Sequence, residues 1–361
     1  MPAGEAVVAT KDLTKKYGKL VALDRLTMTV ERGQILGFIG PNGAGKTTAI
    51  KILVGLARPT SGSAQVAGTD CVADPRKIRR LVGYMPDIFG VYDNMRVSEY
   101  LDFFGAAFGI RRRDRVRRID EVLETAGASN FKDLYVEALS HGMKQRVAIS
   151  RTLLHDPAVI FLDEPTNGLD PQARIEMRQL LLDLARRGKT LIVTSHVLPE
   201  LSHVCDRVAI ITRGRLRAFG TQEDVTRQLS PLREMEVLLT SADRIGQVVE
   251  VVRKHLESGA AIQSSPAEAV VRFRTARRED ELAKLLAALI SNGLDVTQFR
   301  EVQTDLEEAF LSVARSDQED RGSKMENRKS RIEDRKTETG SILHPLSPIV
   351  GASPSLPETK V

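Results

Sequence analysis

Short apolar runs alternate with longer stretches of helical period through about residue 230, the pattern of an α/β domain. Residues 34–39 predict a buried strand that ends in a glycine-rich turn, and residues 47–54 a helix stopped by Gly55. Residues 139–154 predict a helix with Ser140 at its N-cap. Residues 158–162 and 190–194 are continuous, β-branched apolar runs, as in parallel sheets covered on both faces. Between them, Asp170-Pro171 supplies an N-cap and a first-turn proline. The helix that follows ends at Arg186-Arg187-Gly188, with cations in its last turn and glycine just beyond.

The pattern changes at residue 232. Strands are predicted at 236–240, 269–275 and 295–302, a weaker one at 260–263, and amphipathic helices at 245–256 and 280–291. The order β-α-β-β-α-β is the split βαβ arrangement of a ferredoxin-like α+β module, here spanning 232–314. Residues 315–361 are dense in mixed charge and then rich in Ser and Pro, with no apolar periodicity, which predicts a disordered tail.

Composition narrows the classes. A chain of 361 residues suggests two or three domains. Its net charge of +5 is mild and does not demand nucleic acid, whose binders concentrate a basic surplus on one face. The apolar share of 42% is a little below the roughly 45–50% of globular chains, as a polar segment would make it. No stretch approaches the ~18 apolar residues of a membrane span, and the N-terminal residues lack a secretory signal pattern. Cys71 and Cys205, far apart and without metal-ligand neighbours, read as reduced thiols. Integral-membrane, secreted, collagenous and zinc-ribbon classes are therefore not expected.

The chemistry is carried by motifs. Gly40-Pro41-Asn42-Gly43-Ala44-Gly45-Lys46-Thr47 fits G-x-x-x-x-G-K-[ST] and stands between a predicted strand and a predicted helix. Glycines let backbone N–H groups turn inward around phosphates, and the helix N-terminus adds its positive end. Lys46 is placed to meet β/γ-phosphate oxygens, and the Thr47 hydroxyl to ligate Mg²⁺. Downstream, the apolar run 159–162 ends in Asp163-Glu164-Pro165. Two carboxylates after a strand also serve as a plain loop cap. With the phosphate cradle upstream, the favoured reading is Asp163 holding Mg²⁺ and Glu164 polarising an attacking water.

Leu139-Ser140-His141-Gly142-Met143 resembles the Leu-Ser-Gly-Gly-Gln signature of the ATP-binding subunits of ABC transporters, with His141 and Met143 as departures. The resemblance covers about residues 5–230. It implies a P-loop NTPase fold of ABC type over 5–231: a RecA-like core, an antiparallel β subdomain, and an α-helical subdomain over 88–155. It also implies that residues 40–48, ending in Thr48, contact ATP, and that Ser140 and Gly142 meet the γ-phosphate held by the opposite subunit. Tyr17 matches the aromatic that stacks on adenine, although packing on the core is the alternative for a strand aromatic. Asp170, in Gly168-Leu169-Asp170, matches the loop that closes a dimer around ATP, and His196 the switch histidine that contacts the γ-phosphate. The family usually has Gln where this chain has Asp87; a carboxylate there remains a candidate Mg²⁺ ligand. The catalytic set is thus Glu164, His196 and Lys46, and the metal set Thr47, Asp87 and Asp163.

By the same resemblance, the helical subdomain receives a multi-span membrane permease, with Phe89, Val91 and Tyr92 as docking candidates against core packing. The arginine-rich run 111–118 invites a nucleic-acid or lipid reading, weighed against a solvated helix face. Asp305-Leu306-Glu307-Glu308-Ala309-Phe310-Leu311 resembles the C-terminal extension of exporters of antibiotics, lipids or polysaccharides, the daunorubicin-resistance type. The expectation is an ATPase bound peripherally to the cytoplasmic face of the cell membrane, paired with a second ATP-binding subunit, most simply itself. An ABC ATPase acting on nucleic acid or ribosomes and a binding-only switch are the alternatives.

Overall fold

The computed structural model describes residues 5–88, 90, 94–197, 201, 204–229, 232–256 and 261–302. Phe89, Val91, Tyr92, the segment 305–311 and the tail 315–361 lie outside the described residues.

Strands β1 (Ala6–Tyr17) and β2 (Leu20–Glu31) form an antiparallel hairpin. Strand β3 (Ile35–Ile39) then enters a second sheet and runs through the glycine loop into α1 (Lys46–Leu53). β4 (Ser61–Val66) and β5 (Thr69–Asp70) return to the first sheet, whose order is β2-β1-β4-β5. Next, α2 (Pro75–Leu81) is capped by Asp74, whose carboxylate accepts from Lys77 N at 2.9 Å, and leads to β6 (Val82–Met85). Three helices follow: α3 (Val97–Ala107), α4 (Arg112–Thr125) and α5 (His141–Leu153). The signature helix begins at His141 rather than at 139, because Ser140 takes extended backbone as its N-cap and its hydroxyl accepts from Met143 N at 3.4 Å.

The remaining elements of this region are β7 (Val159–Leu162), α6 (Pro171–Arg186), β8 (Thr190–Ser195), β9 (Arg207–Thr212), β10 (Arg215–Gly220) and α7 (Gln222–Leu229). The central sheet has six strands in the order β10-β9-β3-β8-β7-β6, parallel except for β10. Alternation along its strands feeds two cores. Ile35, Ile39, Ile160, Leu162, Leu191 and Val193 join the cluster that includes Leu101, Leu123 and Leu181 of the helices. Leu36, Phe38, Phe161 and Ile192 join Ile50 and Ile52 of α1 and Leu13 and Leu26 of the antiparallel sheet. Each such fully buried side chain contributes roughly 1.5–3 kcal/mol, so the sheet is held rigidly from both faces. Strands β3, β7 and β8 consequently present their C-terminal ends along one edge, where α/β sheets bind ligands.

Part of the arginine-rich run is structural. Arg115 pairs with Asp102 of α3 at 2.7 Å, and Arg118 donates to the Leu154 and Leu153 carbonyls at 3.0 and 2.7 Å, at the C-terminal end of α5. Arg111, Arg112, Arg113 and Arg117 are exposed.

The final segment builds its own layer from β11 (Arg233–Leu239), α8 (Ile245–His255), β12 (Ile262–Ser265), β13 (Val270–Thr275), α9 (Glu279–Ser291) and β14 (Val296–Val302). The sheet order β12-β13-β11-β14, antiparallel throughout, is the predicted split βαβ topology. Val237, Val271 and Phe273 pack with Val248, Val252, Leu285 and Leu289 of the two helices. Strand β11 begins three residues before the predicted 236, and its early residues are polar for a reason. Glu236 lies buried on the face opposite the helices, accepting from Arg300 at 2.7 and 2.9 Å and from Arg272 at 2.8 Å. Those guanidiniums, Arg300 foremost, hold its carboxyl below the usual range.

Candidate active site

The glycine loop is shaped by close approach. A side chain on Gly40 would place its Cβ 2.2 Å from the Ile211 carbonyl oxygen. Gly45 has φ 111°, and a Cβ there would lie 2.5 Å from the Ala22 carbonyl. Pro41, Asn42 and Gly43 form the exposed tip, while Ala44 is buried and Thr48 half-buried. Lys46, 6% exposed, donates from Nζ to the Gly40 carbonyl at 2.5 Å and pairs with Glu164 Oε1 at 3.1 Å. Thr47, at the start of α1, donates to Asp163 Oδ2 at 2.9 Å.

The two carboxylates follow β7. Asp163 N donates to Met85 O at 2.9 Å, extending the ladder by one residue. Glu164 then turns into the left-handed region, φ 54°, and is 8% exposed. Its N–H donates to Thr194 Oγ1 at 2.9 Å, and that hydroxyl donates to Asp163 Oδ1 at 2.7 Å. On the far side, Glu164 Oε2 accepts from His196 N at 3.3 Å and lies 2.9 Å from His196 Nδ1. A carboxylate oxygen accepts, so the imidazole donates from Nδ1 and turns Nε2 away.

Asp87 is exposed after β6, and its Oδ1 accepts from Asn167 Nδ2 at 3.4 Å. Asn167 donates its N–H to the Glu164 carbonyl at 3.1 Å and offers its own carbonyl to His141 Nε2 at 2.9 Å. Tyr84 of β6 borders the same carboxylates. Burial pushes its phenol up to about 12, and Asp163 and Asp87 push the same way.

The structure therefore gathers Lys46, Thr47, Asp163, Glu164 and His196, with Asp87 joined through Asn167. Tyr17, Ser140, Gly142 and Asp170 stand on other elements. Tyr17 is 49% exposed at the end of β1, which excludes core packing, with Lys15 Nζ 4.8 Å from its ring centroid. Asp170 caps α6, accepting from Ala173 N at 2.8 Å. Ser140 is exposed, and Gly142, beside it, lies near Leu169. Thr194, Asn167 and Tyr84 are site residues that sequence reasoning passed over. Only Thr194 carried a signal, as a hydroxyl two positions before His196 that directly follows the apolar run Leu191-Ile192-Val193.

The donor set suits a hard cation. Thr47 offers a hydroxyl, and Asp163 and Asp87 carboxylates, all oxygen as Mg²⁺ prefers. Among the described residues no three His, Cys, Asp or Glu side chains form a metal cage. Such a sparse set fits Mg²⁺, which binds through one or two carboxylates together with substrate phosphates.

A glycine loop between strand and helix, with lysine, threonine and two strand-end carboxylates converging on it, defines a P-loop nucleoside triphosphatase. Comparison with known proteins refines the class: residues 23–167 match the ABC transporter family model. The bacitracin transport ATP-binding protein BcrA of Bacillus licheniformis is 34% identical over 308 residues, covering 85% of this chain and 97% of that one. The probable multidrug ABC transporter ATP-binding protein YbhF of Escherichia coli (strain K12) is 40% identical over 225 residues, 62% of this chain; the match spans only 39% of YbhF. A dimeric bacterial ABC transporter cassette superposes with a TM-score of 0.55 at 26% identity, covering 59% of this chain and 98% of that one. The chain belongs to the ATP-binding proteins of the ABC transporter family.

Proposed function

We infer that this chain binds and hydrolyses MgATP and powers a membrane exporter through ATP-driven pairing of two copies. The observation that carries the reading is the assembly of Lys46, Thr47, Asp163, Glu164 and His196 from three strand ends into one hydrogen-bonded cluster. Lys46 exchanges its Gly40 and Glu164 contacts for phosphate oxygens. Thr47 and Asp163 would hold Mg²⁺, which neutralises charge on the β- and γ-phosphates. Glu164 accepts the proton of a water attacking the γ-phosphorus in line as the bond to the β–γ bridging oxygen breaks and ADP leaves, and His196, donating to Glu164, orients that carboxylate. The binding-only alternative loses ground because the base and its histidine partner are already in contact.

Pairing is supported by the exposed Ser140 at the N-terminus of the signature helix and by the dimeric cassette neighbour. The permease is proposed because the relatives are named ATP-binding proteins of ABC transporters; among the described residues no helix is long and apolar enough to cross a membrane. Peripheral attachment at the cytoplasmic face follows from that partner. Export is favoured because a relative in Ralstonia nicotianae, 37% identical over 219 residues, is named a Nod factor export ATP-binding protein. The domain division is ATPase 5–231, module 232–314 and tail 315–361; the module's separate core supports the first boundary. The purified chain should release phosphate from ATP only with Mg²⁺ and should co-purify with a multi-span membrane protein; failure of both sinks the reading.

Two further outcomes are expected. Asp87→Ala should lower turnover about tenfold and raise the Mg²⁺ requirement, as loss of a metal-site partner does; unchanged Mg²⁺ titrations would remove Asp87 from the metal set. Truncation after Leu229 should weaken ATP-dependent dimerisation measured by light scattering and lower phosphate release in proportion, while ATP binding by each copy persists. Intact dimerisation would leave the module without that role.

A further inference from the structure

We propose that Thr194 is the positioning residue that aims both catalytic carboxylates, acting through one buried hydroxyl. This deepens the ATPase reading and rests on it. Thr194 is 0% exposed, on β8 between the two working strands. The parallel ladder of β7 and β8 ends at Leu162 opposite Val193, so the next backbone groups must find other partners. Asp163 N takes the Met85 carbonyl, and Glu164 N takes Thr194 Oγ1 at 2.9 Å. With its lone pair engaged there, the hydroxyl sends its single proton to Asp163 Oδ1 at 2.7 Å. Both bonds follow from one rotamer, which couples the two acids.

Each bond has a separate consequence. Fixing Oδ1 leaves Oδ2 turned toward Thr47, 2.9 Å away, the side on which Mg²⁺ would be held. Accepting from Glu164 N stabilises a left-handed backbone, φ 54°, that a non-glycine residue rarely adopts. That turn directs the Glu164 side chain between Lys46 and His196. The neighbouring residue ties the phosphate loop to the same spot, since Gly40 N donates to the Ser195 carbonyl at 3.2 Å. One short segment of β8 thus registers the cradle, the metal-side carboxylate and the base. The other strand-end residues touch the reacting groups directly; Thr194 acts only through them.

The test uses the full chain and two readouts: steady-state ATP hydrolysis, and Mn²⁺ affinity with ADP by electron paramagnetic resonance. Thr194→Val keeps the shape and deletes the hydroxyl. It should lower kcat by about 10–100-fold with KM for ATP within about twofold, and weaken Mn²⁺ binding about tenfold, the usual scale for outer-shell partners. Thr194→Ser should restore most of both. If the valine variant does not fold, Thr194→Cys, a weaker donor of similar size, should show an intermediate loss of several-fold. Wild-type kcat and Mn²⁺ affinity in the folded valine or cysteine variant overturn the proposal, as does a serine variant no better than valine. A wild-type chain that binds Mn²⁺ with ADP yet never releases phosphate overturns the ATPase reading instead, and the metal affinities still judge Thr194.

Discussion

Glu164→Gln is expected to bind MgATP as the wild type does and to hydrolyse it at least about a hundredfold more slowly, the lower end of what a positioned general base supplies. The substitution preserves shape: with the amide oxygen accepting from His196, the NH2 takes the Oε1 position and faces Lys46, which bound nucleotide draws to its phosphate oxygens. Binding therefore survives. What disappears is basicity: a carboxamide cannot take the proton of the attacking water. Because hydrolysis resets the dimer, a variant that binds without turnover should accumulate as an ATP-bound dimer, visible as a shift to twice the monomer mass in light scattering. Addition of EDTA should dissolve that dimer if Mg²⁺ is held with the nucleotide. A glutamine variant that hydrolyses ATP at the wild-type rate excludes Glu164 as the base and returns Asp163 and Asp87 to consideration.

This expectation was legible in the sequence because each of its two parts is written in one short motif. The run 159–162 has the composition of a buried strand, and the glycine loop upstream favours metal binding and base catalysis over loop capping for the two carboxylates at its end. The glycine loop is legible for the same reason: its spacing, flanked by strand and helix, encodes a backbone shape as well as a composition. The cross-links that make the site work are not local. Thr194 bridges Asp163 and Glu164 from about thirty residues away, and Asn167 reaches Asp87 from 80 away. Such pairings depend on which strands become neighbours, and the order β3-β8-β7-β6 is not written in any one segment.

The polar start of β11 was illegible for a related reason. Glu236 breaks an apolar run, and its two arginine partners arrive from β13 and β14. Read along one strand it is a defect; read across three it is a satisfied ion-pair ladder. His141 shows the reverse case. As a departure from the signature it looked like a loss, yet its ring joins the signature helix to the loop that follows the base.

Lys46→Ala should abolish productive ATP binding, and the reason is more than the loss of one cation. A charged hydrogen bond is worth about 1.5–3 kcal/mol, so removal of a lysine that meets two phosphate oxygens predicts affinity lower by at least about a hundredfold. The structure adds a second effect. Lys46 is buried and is the cation beside Glu164 Oε1, so alanine leaves that oxygen of a buried carboxylate without its cation, with His196 donating only to the other. Breaking a buried pair from one side costs about 3–5 kcal/mol, and the variant should therefore also melt earlier than wild type. The two effects separate in a cycle. Lys46→Ala combined with Glu164→Gln removes the orphaned charge, so the melting temperature should recover while ATP affinity stays low. Calorimetry and titration of a fluorescent ATP analogue would measure each arm. Wild-type affinity in Lys46→Ala would dismiss the phosphate cradle. A double variant no more stable than Lys46→Ala would show instead that the lysine's contribution to stability runs through the Gly40 carbonyl rather than through the base.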